Sequence, residues 1–279
     1  MKYKTLLILF SFISFIPAWA QEVAIPINMV YQSTMLGVGN SNVHDSYLSP
    51  LKYSGINLGL YHEQMKMTGL MNGNISAQHL FTLDFSSTDN DSETASDYAG
   101  FIGYSYGLHY RFQPVQKLQV FAGLQAAGML GFVYNDRNGN NPATGKAHIN
   151  LNLSGMAAYS WQIKSQPIHF RYQVDAPFIG ILFSPEFGQS YYEISLGDDS
   201  NLVHFASFHN QVFLRNVLSV ELPFNFMTLR LSYLNSIYET DVNHIKTRIH
   251  TNSFYIGFSR DFFSVPGKKK NKDIFKSVF

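Results

Sequence analysis

Two short stretches of this sequence contain residue types that a serine hydrolase uses. His44, Asp45 and Ser46 are consecutive, and Ser207 lies two residues before His209. A catalytic triad needs its base between the nucleophile and the carboxylate, and three consecutive side chains diverge too much to do this. Outer-membrane phospholipases place the histidine before the serine, which is the reverse of the second pair. An outer-membrane lipid-active hydrolase, of lipase or deacylase type, is therefore only an alternative interpretation.

The residues that could bind a metal ion or a cofactor are weaker candidates still. His109, His148 and His169 share the polar side of three segments, but they are expected at different heights, and a metal site needs ligands that converge. The stretches "NDRNGNN" and "GDDSN" lack the ligand spacing of an EF-hand. The chain has no cysteine, and it contains no phosphate-binding glycine loop. The sequence predicts no catalytic residue, no metal site and no cofactor.

The elements that position these side chains are strands. Between residues 102 and 113 every second residue is apolar, and the residues between are glycine or polar. This period of two predicts a strand with one apolar and one polar face. Ten such segments occur, at 25–38, 54–67, 75–88, 98–112, 118–133, 147–163, 168–183, 203–222, 227–238 and 247–262. The sequence predicts an all-β fold of about ten strands; "FIGILF" and "YYEIS" within 176–200 could add a hairpin and make twelve.

Strand and loop lengths distinguish a membrane barrel from a soluble one. Most segments are longer than the roughly 9–11 residues that a tilted strand needs to cross a bilayer. Long polar connections follow the odd-numbered strands, and short ones follow the even-numbered strands. Charged residues make up 14% of the chain and aromatic residues 15%, which suits an aromatic belt. We predict a transmembrane up-and-down antiparallel β-barrel, with apolar side chains towards lipid and the long loops outside the cell.

The chain is expected to have three parts. Lys2 and Lys4 precede an apolar run that ends at "AWA", so residues 1–20 are predicted to be a signal peptide cleaved near Ala20. Residues 21–263 are the predicted outer-membrane barrel, and residues 264–279 a basic periplasmic tail. The expected location is the outer membrane of a Gram-negative envelope. The expected partners are outer-membrane lipid, the barrel-insertion machinery and an unidentified extracellular or envelope partner; the net charge of +1 gives no indication of nucleic acid.

Several stretches also resemble one known family. They are "YLSPLKYSG" (47–55), "SYGLHYRFQP" (105–114), "GFVYNDRNGNNPA" (131–143), "INLNLSGMAAY" (149–159), "FSPEFGQSYYEI" (183–194), "FMTLRLSYLNS" (226–236) and "HIKTRIHTNSFYIGF" (244–258). They are similar to an uncharacterised, domain-of-unknown-function group of predicted outer-membrane barrels from Bacteroides-like bacteria. The resemblance implies the barrel and the compartment, and it implies no activity and no catalytic residue.

Two sets of residues are candidates for function. The first is a polar network expected in the lumen: Glu63, Asp84, His109, Arg111, His169, Arg171, Asp175, Arg215, Glu221 and Arg230. These side chains form either a hydrogen-bonded plug or the charged constriction of a pore. Glu221 is expected opposite Thr228, with Arg230 one diagonal step away. The second set consists of loop residues that could bind a partner: His44, Asp45, Tyr47, Tyr191, Tyr192 and Glu193.

The sequence predicts a structural role or a role in binding a partner. The barrel would hold a polar plug, and its extracellular loops would contact a partner, without enzymatic activity. A narrow channel for small solutes is the first alternative, and the lipid-active hydrolase is the second.

Overall fold

The computed structural model describes residues 29–163, 166–198, 200–224 and 227–263. The predicted signal peptide and basic tail lie outside these ranges. Within these ranges lie eleven strands: β1 (Met29–Asp45), β2 (Tyr53–Met67), β3 (Ile75–Asn90), β4 (Ser96–Val115), β5 (Leu118–Asn135), β6 (Ala143–Ile163), β7 (Gln166–Phe183), β8 (Val203–Ser207), β9 (Gln211–Pro223), β10 (Thr228–Val242) and β11 (Ile245–Phe263). A 3-10 turn covers Leu70–Gly73, and a one-turn helix, α1, covers Tyr191–Ser195. Among these described residues, no helix could span a membrane.

The strands close into one antiparallel barrel whose wall has ten positions. Neighbouring strands in the chain pair with each other, and β1 pairs with β11 to close the sheet. The strands β8 and β9 share one position, because β8 pairs with one half of β7 and β9 with the other half. Residues 208–210 form the turn that separates them. The predicted ten-stranded antiparallel barrel is confirmed.

The alternative of twelve strands is wrong, because "YYEIS" is not a strand. These residues form α1, which begins after Ser190. The Ser190 hydroxyl accepts a hydrogen bond from the Glu193 backbone N–H, and the Glu193 carboxylate accepts one from the Ser190 backbone N–H. This capping box satisfies two backbone donors that a helix start leaves open, so the local sequence favours a helical turn.

The two ends of the barrel differ in their connections. One end, which we call the loop end, carries residues 46–52, 91–95, 136–142, 184–198, 200–202 and 243–244. The other, the turn end, carries residues 68–74 and 116–117, and β6 and β9 also end there. Several strands continue past their predicted bounds towards the loop end: β1 reaches Asp45 and β10 reaches Val242. The ladder of backbone hydrogen bonds continues there through polar residues, after the apolar alternation has stopped.

The two faces of each strand have the predicted orientation. On β4, the side chain of Tyr104 is 52% exposed on the outer surface, whereas Ser105 is 2% exposed and His109 is fully buried inside. The outward side chains of β4 and β6 are mostly Ile, Leu, Tyr and Ala. A barrel with an apolar outer surface and a polar filled interior suits a lipid bilayer, because lipid chains offer the outer face no hydrogen bonds.

The sidedness of the barrel gives a first prediction. A protease site inserted into residues 136–142, at the loop end, is expected to be cut by protease added to intact cells. The same site inserted at residues 116–117, at the turn end, is expected to be protected until the outer membrane is opened. Immunoblotting of a terminal tag measures both. Equal cutting at the two positions, or the opposite pattern, would contradict the predicted topology.

Candidate functional site: the closed lumen and its loop cap

Six buried charged side chains cross the lumen near the turn end, and their charges balance. The cations are Arg171, Arg215 and Arg230, and the anions are Glu63, Asp175 and Glu221. Glu63 lies between two of the arginines. One carboxylate oxygen accepts a hydrogen bond from Arg171, and the other lies 2.7 Å from Arg230 Nη1. A buried carboxylate keeps its charge only with such compensation, so the two guanidinium groups hold Glu63 in its ionised form.

The Glu63–Arg171 ion pair connects opposite walls of the barrel. Glu63 is on β2 and Arg171 is on β7, and these strands are five wall positions apart in either direction around the ten-position wall. Both side chains are at most 3% exposed. The pair therefore lies across the lumen and obstructs it.

Neutral side chains extend this network to most of the wall. Gln78 and Gln173 bond to each other twice, at 2.9 and 3.1 Å. Asp175 accepts from Ser154 at 2.5 Å and from Arg215 Nη2 at 2.7 Å. The set that we call the plug consists of the six charges and their neutral partners Tyr31, Gln78, Gln125, Ser154, Gln173 and Ser219. Its members reinforce one another, since most of them make two or more hydrogen bonds in a site shielded from water.

The structure brings seven of the ten predicted lumen residues together and leaves three apart. Four of the charges join through Glu63 and Arg230, and Gln173 connects them to the Asp175–Arg215 pair. His109 joins through Ser154 Oγ at 2.8 Å. The other three face other partners: Asp84 accepts from the Tyr255 hydroxyl at 3.4 Å, Arg111 Nη2 donates to Asn74 Oδ1 at 3.1 Å, and His169 contacts Ser160 Oγ at 2.8 Å.

One predicted register is wrong. Glu221 lies directly opposite Arg230, with 3.7 Å between Oε1 and Nε, while Thr228 lies opposite Pro223. The reason is that β9 runs to Pro223, one residue beyond the predicted end. The centre of the turn to β10 therefore lies one residue later, and the partner of each β9 residue on β10 lies two residues later.

A cavity of about 80 Å³ lies inside the barrel on the loop side of the plug. Its plug side is lined by polar side chains that include Asp84, Ser105 and Arg215, and its loop side by rings that include Phe213 and Tyr238. A water needs roughly 10–15 Å³ of such a cavity, so the cavity has room for a few waters.

A second buried ion pair closes the barrel at the loop end. Asp45 and Lys146 are 2.5 Å apart, and the Lys146 ammonium also donates to Thr247 Oγ1 at 2.9 Å. The strands that carry the pair, β1 and β6, are again five wall positions apart. Beneath it an apolar cluster fills the lumen, with members that include Tyr53 and Val133.

This pair corrects two predictions about the stretch "HDS". His44 and Asp45 belong to β1 and not to a loop, and consecutive strand residues face opposite sides of the wall. Asp45 is 1% exposed inside the barrel, so it is not available to an extracellular partner. His44 and Asp45 consequently cannot act together on one substrate.

Two further predicted loop residues, Tyr47 and Tyr191, hold a cap over the loop end. The Tyr47 hydroxyl donates to the Gln189 carbonyl at 2.8 Å, and the ring of Tyr47 meets that of Tyr191 edge to face. The Tyr191 hydroxyl accepts from the Gly145 backbone N–H at 2.5 Å. Burial raises the pKa of Tyr47 to about 12 and also raises the pKa of Tyr191. Both hydroxyls stay protonated at neutral pH, and they link residues 46–52 and 184–202 to β6.

The remaining loop candidates are exposed on the cap. Tyr192 is 71% exposed and Glu193 is also exposed, and the nearby Phe187 and Leu196 are 62% and 69% exposed. Hydrogen bonds from the Ser190 backbone and hydroxyl lower the pKa of Glu193. The outer surface of the loop 184–202 thus presents apolar rings beside a carboxylate.

The geometry gives little support to the interpretation as a hydrolase or as a metal-binding protein. Ser207 Oγ and His209 Nδ1 are 2.6 Å apart on the exposed turn between β8 and β9. Among the residues that the structure describes, no carboxylate bonds to His209, so the pair has no group to orient its base. Nor do any three histidine or acidic side chains gather in a metal-binding arrangement within those residues.

Sequence analysis missed the neutral members of the plug and the pair at the loop end. Gln78, Gln125 and Gln173 each occupy an inward position of a predicted strand, so alternation alone could have identified them. Lys146 gave no such signal, because it precedes the predicted start of its strand.

The comparisons with known proteins agree with this fold. The transport unit of the autotransporter AIDA-I from Escherichia coli has a TM-score of 0.50 at 9% identity, with 88% of this chain and 94% of that chain covered. The outer membrane protease OmpT from Escherichia coli has a TM-score of 0.48 at 9% identity, with 87% and 99% covered. The first likeness shows the fold, that of an outer-membrane barrel, and nothing about activity. No curated protein matches the chain.

The family resemblance inferred from the seven sequence stretches is confirmed. The family model described as "Protein of unknown function (DUF3316)" matches residues 5–269, which is nearly the whole chain. The chain belongs to this DUF3316 family.

Proposed function

We propose that the protein is a closed, non-conducting barrel of the outer membrane that acts as a structural or interaction protein through its loop end. The proposal rests on one observation: two ion pairs, Glu63–Arg171 and Asp45–Lys146, cross the lumen. Each connects opposite walls, and they lie at different heights. A pore for solutes would need both to open.

The packing around the two pairs supports a closed lumen. An apolar cluster that includes Met65, Phe121 and Met156 fills the barrel at the turn end. A second cluster fills it below the loop cap. Opening a path would break several buried hydrogen bonds and leave charges unpaired, and each unpaired buried charge costs several kcal/mol.

The loop cap supports the interaction role. Tyr47 and Tyr191 fix the loop 184–202 in one place, while Phe187, Tyr192 and Leu196 remain exposed on its outer side. Exposed rings on a rigid support lose little conformational entropy when a partner covers them. Rings of this kind, next to the Glu193 carboxylate, suit the apolar and basic surface of another macromolecule at the cell surface.

Conductance measurements test the closed barrel. Purified protein inserted into planar lipid bilayers is expected to give no steady ohmic current, while an open porin inserted in parallel gives steps proportional to salt concentration. The heat-modifiable mobility of the same sample confirms that it is folded. Stable, salt-proportional steps from this protein would overturn the closed-barrel proposal and favour the narrow channel.

A further inference from the structure

The outer surface of the barrel is more polar along β1 than along β4. On β1, Leu36 and Val38 are the apolar outward side chains between Thr34 and Asn40. A hydrophobic belt about 25 Å tall needs roughly five outward positions on a tilted strand. On β4, by contrast, the six outward side chains of Ile102–Phe112 are all apolar or aromatic. The outer face of β1 therefore has fewer apolar positions than a complete belt needs, although Phe254, Ile256 and Phe258 beside it on β11 are apolar and exposed.

A ladder of four asparagines runs through this polar side. Asn216, Asn235, Asn252 and Asn40 are direct neighbours on β9, β10, β11 and β1. Asn216 Nδ2 donates to Asn235 Oδ1 at 3.2 Å, and Asn235 Nδ2 donates to Asn252 Oδ1 at 2.9 Å. On β9, the outward positions on both sides of Asn216 are apolar, so the ladder enters the belt. An amide side chain has two N–H donors and an oxygen with two lone pairs, so the bonds within the ladder do not use its full capacity. The rest of that capacity faces lipid, which costs free energy unless another polar surface covers it.

Two columns of opposite charge lie beside this ladder, nearer the loop end. Glu239 and Asp241 are outward on β10, and Arg248 and Lys246 are their direct partners on β11. Acidic and basic columns at equal height make the surface complementary to itself. A two-fold axis along the membrane normal would place each acidic column against the basic column of a second copy.

We propose that the outer face of β10, β11 and β1 is the contact surface between two copies of this chain. The axis passes between β10 and β11, close to Asn235 and Asn252. An amide both donates and accepts, so the ladder of one copy satisfies the ladder of the other. The paired copies also remove the polar side of the barrel from contact with lipid.

Cysteine crosslinking in native outer membranes tests the contact, and the chain has no cysteine of its own. Asn252→Cys is the probe on β11. Leu130→Cys, which is 62% exposed on β5 at the opposite wall, is the matched control. Under mild oxidation the probe is expected to form a band of twice the mass and the control to stay monomeric, since a disulfide requires Cα atoms within about 7 Å. A monomeric but folded probe, or equal dimer from both positions, would overturn the proposal.

Charge reversal separates contacts between copies from contacts within one copy. Glu239→Arg alone and Arg248→Glu alone are each expected to reduce crosslinking at Asn252→Cys several-fold, because each homodimer would oppose like charges. Co-expression of the two reversed chains is expected to restore it in the mixed dimer, although the pair within each chain stays broken. Failure of the mixture to restore crosslinking would show that these charges do not meet across an interface, and would overturn the proposed axis.

Discussion

Glu63→Gln is expected to lower the free energy of unfolding of the barrel by about 3–5 kcal/mol. The carboxylate is fully buried between Arg171 and Arg230, and its removal leaves two guanidinium groups with one fewer anion in the plug. The remaining charges would be three cations and two anions in a site shielded from water. Urea titration of protein folded in detergent or vesicles measures the loss, and heat-modifiable mobility reports it as a lower conversion temperature.

The compensating variant separates a charge effect from a packing effect. Glu63→Gln combined with Arg171→Met restores balance, because Arg230 keeps Glu221 at 3.7 Å and Arg215 keeps Asp175 at 2.7 Å. This double variant is expected to be more stable than Glu63→Gln alone. If it is equally stable or less stable, the charge balance of the plug does not govern its stability.

A surface ion pair provides the control for the plug. Asp241 and Lys246 are 3.4 Å apart and more than half exposed, so in protein kept monomeric in detergent Asp241→Asn should cost no more than about 1 kcal/mol. A loss similar to that of Glu63→Gln would mean that burial is not the cause of the larger effect.

The alternation in the sequence was sufficient to predict the barrel and the inward position of the plug charges. Glu63 and Arg171 occupy polar positions of their strands, and that follows from a period of two. Their contact could not be predicted in the same way, because it depends on β2 and β7 being opposite in a closed ten-position wall. Strand number and stagger determine such contacts, and a register shift of two residues changes them, as the pairing of Glu221 with Arg230 instead of Thr228 demonstrates.

The loop end was harder to predict for a related reason. Asp45 lies where the outward residues of β1, Asn42 and His44, are polar too, and alternation there no longer distinguishes the two faces. Lys146 lies between the small outward residues Gly145 and Ala147, which give only a weak apolar signal. Such segments resemble loops in sequence although their backbones continue the ladder. Their role in closing the lumen is visible only from the contact between opposite walls.

Leu108→Arg is expected to hinder assembly into membranes, with a loss of about 2–4 kcal/mol if the position lies near the bilayer midplane. Leu108 is the fourth of six consecutive outward side chains on β4, and its neighbours across the strands are Ala77 and Leu124. An arginine there would place a charge among lipid chains. Gln113→Arg, at the turn end of the same strand, is the matched control and should assemble normally, since it can reach water. The folded fraction on heat-modifiable gels and urea titration in vesicles compare the two. If both variants assemble equally well, the outer face of β4 does not face lipid, and the assignment of the inward and outward faces of the strands is wrong.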